Sequence, residues 1–205
     1  MTLSDHAAAQ LRAIWKMVVN DDAWRTEIDH SVEAVFRSLW AIVYALPLVI
    51  LHAYAEQQSA QGLDQMKEIP FVNSAPIVFV SIKTITFLID WALSIALLVT
   101  IAKVLNISRR SADVIIGYNW IQLPMIASSL LPTLALGIPN GISVAILIAL
   151  PVFVLQISLL WGVIKRGFNV DVAHAIAIIA LLFLTGFIAS MAIASLAVLF
   201  VGPVT

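Results

Sequence analysis

The chain has 205 residues, of which 61% are hydrophobic and 11% charged, with a net charge of -1 and a mean hydropathy of +1.01. A soluble domain carries roughly 25% charged residues, so this balance excludes an ordinary water-soluble fold and points to a membrane protein. The near-neutral charge argues against nucleic acid as a partner, and the absence of cysteine removes disulfides, thiolate nucleophiles and cysteine metal sites.

Residues 1–30 are polar and amphipathic. Leu3, Ala7, Leu11, Ile14 and Val18 recur at helical spacing with Trp15 and Val19 beside them, while Arg12 and Lys16 lie off that face. Ser4 or Asp5 can cap the start, and Asn20-Asp21-Asp22 breaks the pattern before a second short helix carrying Trp24 and Ile28. This segment reads as a cytoplasmic hairpin packed on the inner ends of the spans, or as an interfacial helix lying on the membrane. It lacks the apolar run of a signal peptide, so the first span is expected to direct insertion.

Five apolar stretches follow, at about 32–54, 76–103, 112–136, 142–164 and 170–201, each long enough to cross a bilayer. The expected fold is therefore all-α, a five-helix transmembrane domain over 31–205 behind the amphipathic segment. Span one carries Arg37, Trp40, His52 and Tyr54 as interface anchors, and Pro47 interrupts it. Residues 55–75, with Glu56, Asp64, Lys67 and Glu68, form the longest expected loop. Asn73 or Ser74 can cap span two ahead of Pro76. Gly137-Ile138-Pro139-Asn140-Gly141 reads as a tight turn, and Asn169 as a cap for span five with Asp171 in its first turn.

Five spans put Arg12, Lys16, Arg25, Arg37, Lys103, Arg109, Arg110, Lys165 and Arg166 on one side, and Lys67 on the other. Positive residues stay cytoplasmic, which places the N-terminus inside and the C-terminus outside. The compact chain favours a bacterial inner membrane. The basic rim of Arg12, Lys16, Lys103, Arg109, Arg110, Lys165 and Arg166 reads as an orientation signal, and also as a surface for anionic headgroups or a partner protein.

Span two holds the residues that ask for an explanation. Asp90 sits near its middle, where an acid costs at least roughly 2.5–3.5 kcal/mol on insertion scales and normally faces protein or water. Lys83, Thr86 and Ser94 share its face at helical spacing, although the roughly 10.5 Å between Lys83 and Asp90 makes a direct bond awkward and lets Lys83 snorkel outward. Counting from the cytoplasmic ends brings Gln122 to the depth of Asp90, and Asn119 and Gln156 to a similar depth nearer the cytoplasm. This polar intramembrane set is either a proton or ion relay or a hydrogen-bonded clasp between spans. Pro47, Pro124 and Pro151 fit ordinary spanning helices better than the paired broken helices of transporters. Gly186, Ser190 and Ala194 make a small-residue strip for internal packing or a partner helix. His174 near Asp171 reads as a capping residue, with no metal cluster around it. No HExxH, GxSxG or GxxxxGK[ST] pattern occurs, so no enzyme is expected, and no cofactor.

The five spans behind a cytoplasmic amphipathic segment, together with Gly117, Tyr118 and Pro124 in the run GYNWIQLPM, resemble the Yip1 family, whose third span carries Gly-Tyr followed by proline. The acidic-aromatic segment that precedes span one in eukaryotic members is not evident, and the chain looks more like the bacterial relatives. The resemblance implies a non-enzymatic integral membrane protein that binds partners, small GTPases in eukaryotes, and affects membrane organisation or traffic; a protein partner or a homo-oligomer is expected for this chain. It makes Gly117, Tyr118 and Pro124 a structural motif. Together these readings lead to a membrane scaffold or accessory subunit that binds a partner protein or membrane lipid. The rival is a proton- or ion-coupled transporter or channel component using Asp90.

Overall fold

The computed structural model describes residues 3–62, 71–138 and 141–201, with side chains between 5 and 197 inside those ranges. Asp64, Lys67, Glu68, Pro139, Asn140 and the capping side chain of Ser4 lie outside the described residues. The described chain is helical, with no strand: α1 (Leu3–Val19), α2 (Trp24–Glu27), α3 (Val32–Ser38), α4 (Trp40–Gln61), α5 (Pro76–Val104), α6 (Ser111–Ala135), α7 (Gly141–Gly162) and α8 (Val172–Val201). A 3-10 turn, Ser108–Arg110, leads into α6, and a π-helical turn, Val163–Gly167, closes α7. Five segments are long and apolar enough to span a membrane: Val32–Gln61, Pro76–Val104, Ser108–Ala135, Gly141–Gly167 and Val172–Ala197.

Span three is the hub. In α6, 56% of the apolar stretch is buried, against 11–28% in the other four spans. It touches α1, α3, α4, α5 and α7, whereas α8 packs mainly on α5. Every residue from Asp113 to Gln122 is buried, so the one span that is least apolar is also the one enclosed by the others. The remaining spans turn rows of Ile, Leu and Phe outward, which suits lipid as the surrounding solvent.

Several boundaries depart from the sequence reading. Span one runs to Gln61 rather than Tyr54, because the polar residues beyond Tyr54 find partners. Gln57, fully buried, donates to the carbonyls of Val72 (3.0 Å) and Ser74 (2.8 Å), and Glu56 pairs with Lys83. The expected loop is correspondingly shorter. The cap position of α5 is Ala75, with no side-chain cap, since the Ser74 hydroxyl donates to Phe71 O instead. Asp171, not Asn169, begins α8: the His174 N–H donates to its carboxylate at 2.8 Å, and this bond and the histidine beside it hold the Asp171 carboxyl below the usual range.

Asn169 belongs instead to the end of the preceding helix. Asn20, Asn106 and Asn169 all take left-handed backbone, with φ of 68°, 57° and 55°. In each case the next residue's N–H returns five positions: Asp21 to Lys16 O (2.9 Å), Ile107 to Ala102 O (2.8 Å) and Val170 to Lys165 O (3.2 Å). Asparagine tolerates this conformation, so α1, α5 and α7 are all closed by the same device, on the same side of the bundle.

The amphipathic segment is docked by the expected face, with Ala7, Leu11, Ile14 and Val18 packed on the core, but that face turns toward Ala13 and Met17 and away from Trp15 and Val19. Ala13, Ile14 and Met17 are buried while Trp15 and Val19 are about half exposed. Three glycines decide this. A Cβ on Gly162 would stand 2.6 Å from Val18 Cα, one on Gly117 would meet Val163 at 2.9 Å and Met17 Sδ at 3.6 Å, and one on Gly167 would meet Met17 Cε at 3.3 Å. Their missing side chains form the seat of α1. Arg166 locks it by donating to the carbonyls of Met17 and Val18 at the C-terminal end of α1, and Lys16 pairs with Glu27 of α2.

Candidate functional site: two polar centres in the bundle

The polar residues of the spans do not form one stripe. They separate into an outer cluster, a closed clasp and an open cavity. Lys83 does not snorkel outward alone; its Nζ lies 2.6 Å from Glu56 Oε1 and over the Phe79 ring. His52 Nε2 and Thr133 Oγ1 lie 3.1 Å apart nearby, and Ser59 donates to Thr133 O. Thr86 donates to Ile82 O in its own helix, so neither Lys83 nor Thr86 belongs with Asp90.

The clasp centres on Asn119, which is fully buried. The Trp91 indole N–H donates to Asn119 Oδ1 (2.9 Å), Asn119 Nδ2 donates to Ser38 Oγ (2.7 Å), and Ser38 donates to Val35 O (2.7 Å). One relay thus ties α3, α5 and α6, and the four polar groups satisfy one another. Gln156 is separate again: it donates to Met125 O at 3.3 Å, joining α7 to α6 one residue after Pro124.

The cavity lies at Asp90. About 300 Å³ is enclosed by Asp90 and Ser94 of α5, Tyr118, Gln122 and Met125 of α6, Leu160 of α7, and Leu182, Phe183, Gly186 and Phe187 of α8. Asp90 Oδ1 is buried and has no hydrogen-bond partner among the described residues. The carboxylate fits because Gly186 leaves room: a Cβ there would lie 2.8 Å from Oδ1. Of the residues singled out in sequence, Asp90, Ser94 and Gln122 come together, and Gly186 joins them from the small-residue strip. Ser190 and Ala194 do not pack inside; they are exposed, while Ala189 and Ala197 are buried. Tyr118, named in sequence as part of the family-like motif and not with the polar set, faces both Ser94 and Gln122.

Sequence reasoning missed Ser38, Trp91 and Glu56 as partners; Ser38 and Trp91 are polar groups within the expected spans, which was the available signal, whereas Glu56 fell in the expected 55–75 loop. It also missed His30. This side chain joins the hairpin to α6, with Nδ1 2.5 Å from Asp113 Oδ1 and Nε2 3.1 Å from Arg25 O. Both ring nitrogens face acceptors, and only the protonated ring can donate from both. Burial works against that charge, but the Arg25 carbonyl, the Asp113 carboxylate and nearby Asp29 outweigh it and raise the His30 pKa above 6.5.

The basic rim is only partly available. Lys16 and Arg166 are committed to Glu27 and to α1, and Lys165 lies over Trp161. Arg12, Lys103, Arg109 and Arg110 have no side-chain ion pair or hydrogen bond among the described residues, and Ser108, Arg109 and Arg110 line a shallow depression with Asn106 and Ile107. Among the described residues no group of three or more His, Asp or Glu could hold a metal.

No protein-family model, curated protein or solved structure matches this chain.

Proposed function

We propose that this integral membrane protein is a non-enzymatic scaffold or accessory subunit, with its N-terminus and basic face in the cytoplasm of a bacterial inner membrane. The observation that carries the reading is the contrast at that face: the hairpin is bolted into the bundle, while Lys103, Arg109 and Arg110 stand free beside it. A rigid platform with uncommitted cations suits capture of an acidic partner protein or an anionic membrane surface. The likeness of Gly117, Tyr118 and Pro124 to the Yip1 third span fits the same reading, because Gly117 serves close packing.

Gentle extraction followed by native mass measurement tests it. The wild type is expected to carry a stoichiometric partner, and the triple change Lys103→Gln, Arg109→Gln, Arg110→Gln to lose it while remaining folded. A wild type that runs alone, unchanged by the triple substitution, overturns the proposal.

A second reading has its own support in the unpartnered Asp90 oxygen and the cavity it faces. In it, Asp90 exchanges a proton or binds a cation within the membrane. Proteoliposomes with an internal pH dye distinguish the two: Asp90→Asn abolishes flux on this reading and changes nothing on the first.

A further inference from the structure

A second cavity is larger than the one at Asp90. It is an apolar slot of about 730 Å³ floored by α6 from Trp120 to Ala127, walled by Leu48 of α4 and by Leu155 and Leu159 of α7, and roofed by Leu11, Arg12, Ile14 and Trp15 of α1. That size falls within the range of small-molecule sites. The seven steps from Trp120 to Ala127 cover roughly 10.5 Å of helix axis, and Ala127 keeps the deep end wide by being small.

One polar feature marks the slot as more than a lipid-facing groove. Arg12, at the α1 end, forms no ion pair or side-chain hydrogen bond among the described residues. Trp120 is fully buried, yet its indole N–H has no acceptor among them. That nitrogen is closed off from the slot as well, so Trp120 serves as its apolar floor. The order along the slot is therefore a free cation at the α1 end, then an apolar channel running toward the middle of the span. Trp15, about half exposed, stands beside Arg12 as an interfacial anchor would.

We propose that the slot holds one anionic phospholipid from the leaflet next to α1, its phosphate on Arg12 and an acyl chain along Leu123, Pro124 and Ala127. The order of chemistry matches that of such a lipid from headgroup to tail, and basic pockets between spanning helices are known to take anionic headgroups. The inference rests on the scaffold reading only for which leaflet supplies the lipid. The slot does not include Lys103, Arg109 or Arg110, so the partner test and the lipid test fail independently.

The test uses the full-length protein in nanodiscs of phosphatidylglycerol and phosphatidylcholine at equal mole fraction, released into native mass spectrometry. The wild type is expected to retain one phosphatidylglycerol per chain. Arg12→Gln is expected to reduce that preference about tenfold, and Ala127→Trp to remove the retained lipid whatever its headgroup, with melting temperature reported for each. A second slot variant, Leu155→Trp, guards against misfolding of the first. Equal retention of both lipids by the wild type overturns the proposal, as does wild-type selectivity in the Arg12 variant, or full retention in both folded tryptophan variants.

Discussion

Asn119 and Asp90 are both polar side chains on spanning helices, linked through neighbouring residues of α5 and α6, yet their surroundings are opposite. Around Asn119 each donor has its acceptor and each acceptor its donor, across three helices. Around Asp90 a carboxylate oxygen is buried with none, beside empty space. An unmet buried polar group costs free energy, so a protein keeps one only where something else offsets the loss. The comparison teaches that the first centre holds the bundle together, and that the second is a place where the bundle tolerates a penalty.

The sharpest way to break this comparison uses the glycines at each region. A methyl at Gly162 would meet backbone, the Val18 Cα at 2.6 Å, whereas one at Gly186 meets only the movable Asp90 carboxylate at 2.8 Å. Gly162→Ala is expected to destabilise by about 2–3 kcal/mol and to release α1 to limited proteolysis, and Gly186→Ala by under about 1 kcal/mol. Equal losses in detergent melts would mean that the α8 contact is as rigid as the α1 seat.

The polar residues themselves come next. Asn119→Leu strands the Trp91 indole and the Ser38 hydroxyl, a loss of about 1–3 kcal/mol. Asp90→Leu removes the unpartnered acid and is expected to be neutral or stabilising by about 1 kcal/mol. Chemical denaturation of the two variants side by side decides the matter; if Asp90→Leu costs as much as Asn119→Leu, Asp90 is a clasp after all.

The smallest expected effect is a pH dependence at the hairpin, where a satisfied ion pair extends the closed region to the bundle surface. Folding raises the His30 pKa, so the folded state binds more protons and the His30 contribution is complete below about pH 6.5, then drains away as pH rises through the folded value. Hydrogen exchange over α1 and α2 is expected to speed up between pH 6 and pH 8.5 relative to α6, and His30→Ala to remove that difference. An unchanged pH profile in His30→Ala would show that the link to Asp113 does not hold the hairpin.

How much of this was legible beforehand differs between levels. The all-α character, the five spans and the amphipathic segment follow from long apolar runs at helical length, because a bilayer leaves the backbone no other way to satisfy itself with so few charges. The grouping of Asp90, Ser94 and Gln122 was also readable, since depth in a spanning helix is simply residue count. Rotation is not. Asn119 lies three residues before Gln122 but belongs to another centre, because α6 is enclosed on nearly all sides and its successive faces meet different neighbours.

The residues that depart most from the sequence reading carry the same lesson. Lys83 pairs with Glu56 rather than water, because α4 continues as helix past Tyr54 and carries the acid alongside. Arg166 and Lys16 leave the expected surface because α1 lies close enough to take them, and that closeness depends on Gly162, Gly117 and Gly167. The sequence by itself therefore determined the class of protein, the number of spans and the end at which the cations gather. Only the tertiary structure decided which polar groups are satisfied, since satisfaction depends on which helix faces which, and apolar runs that fit lipid on every side do not encode that choice.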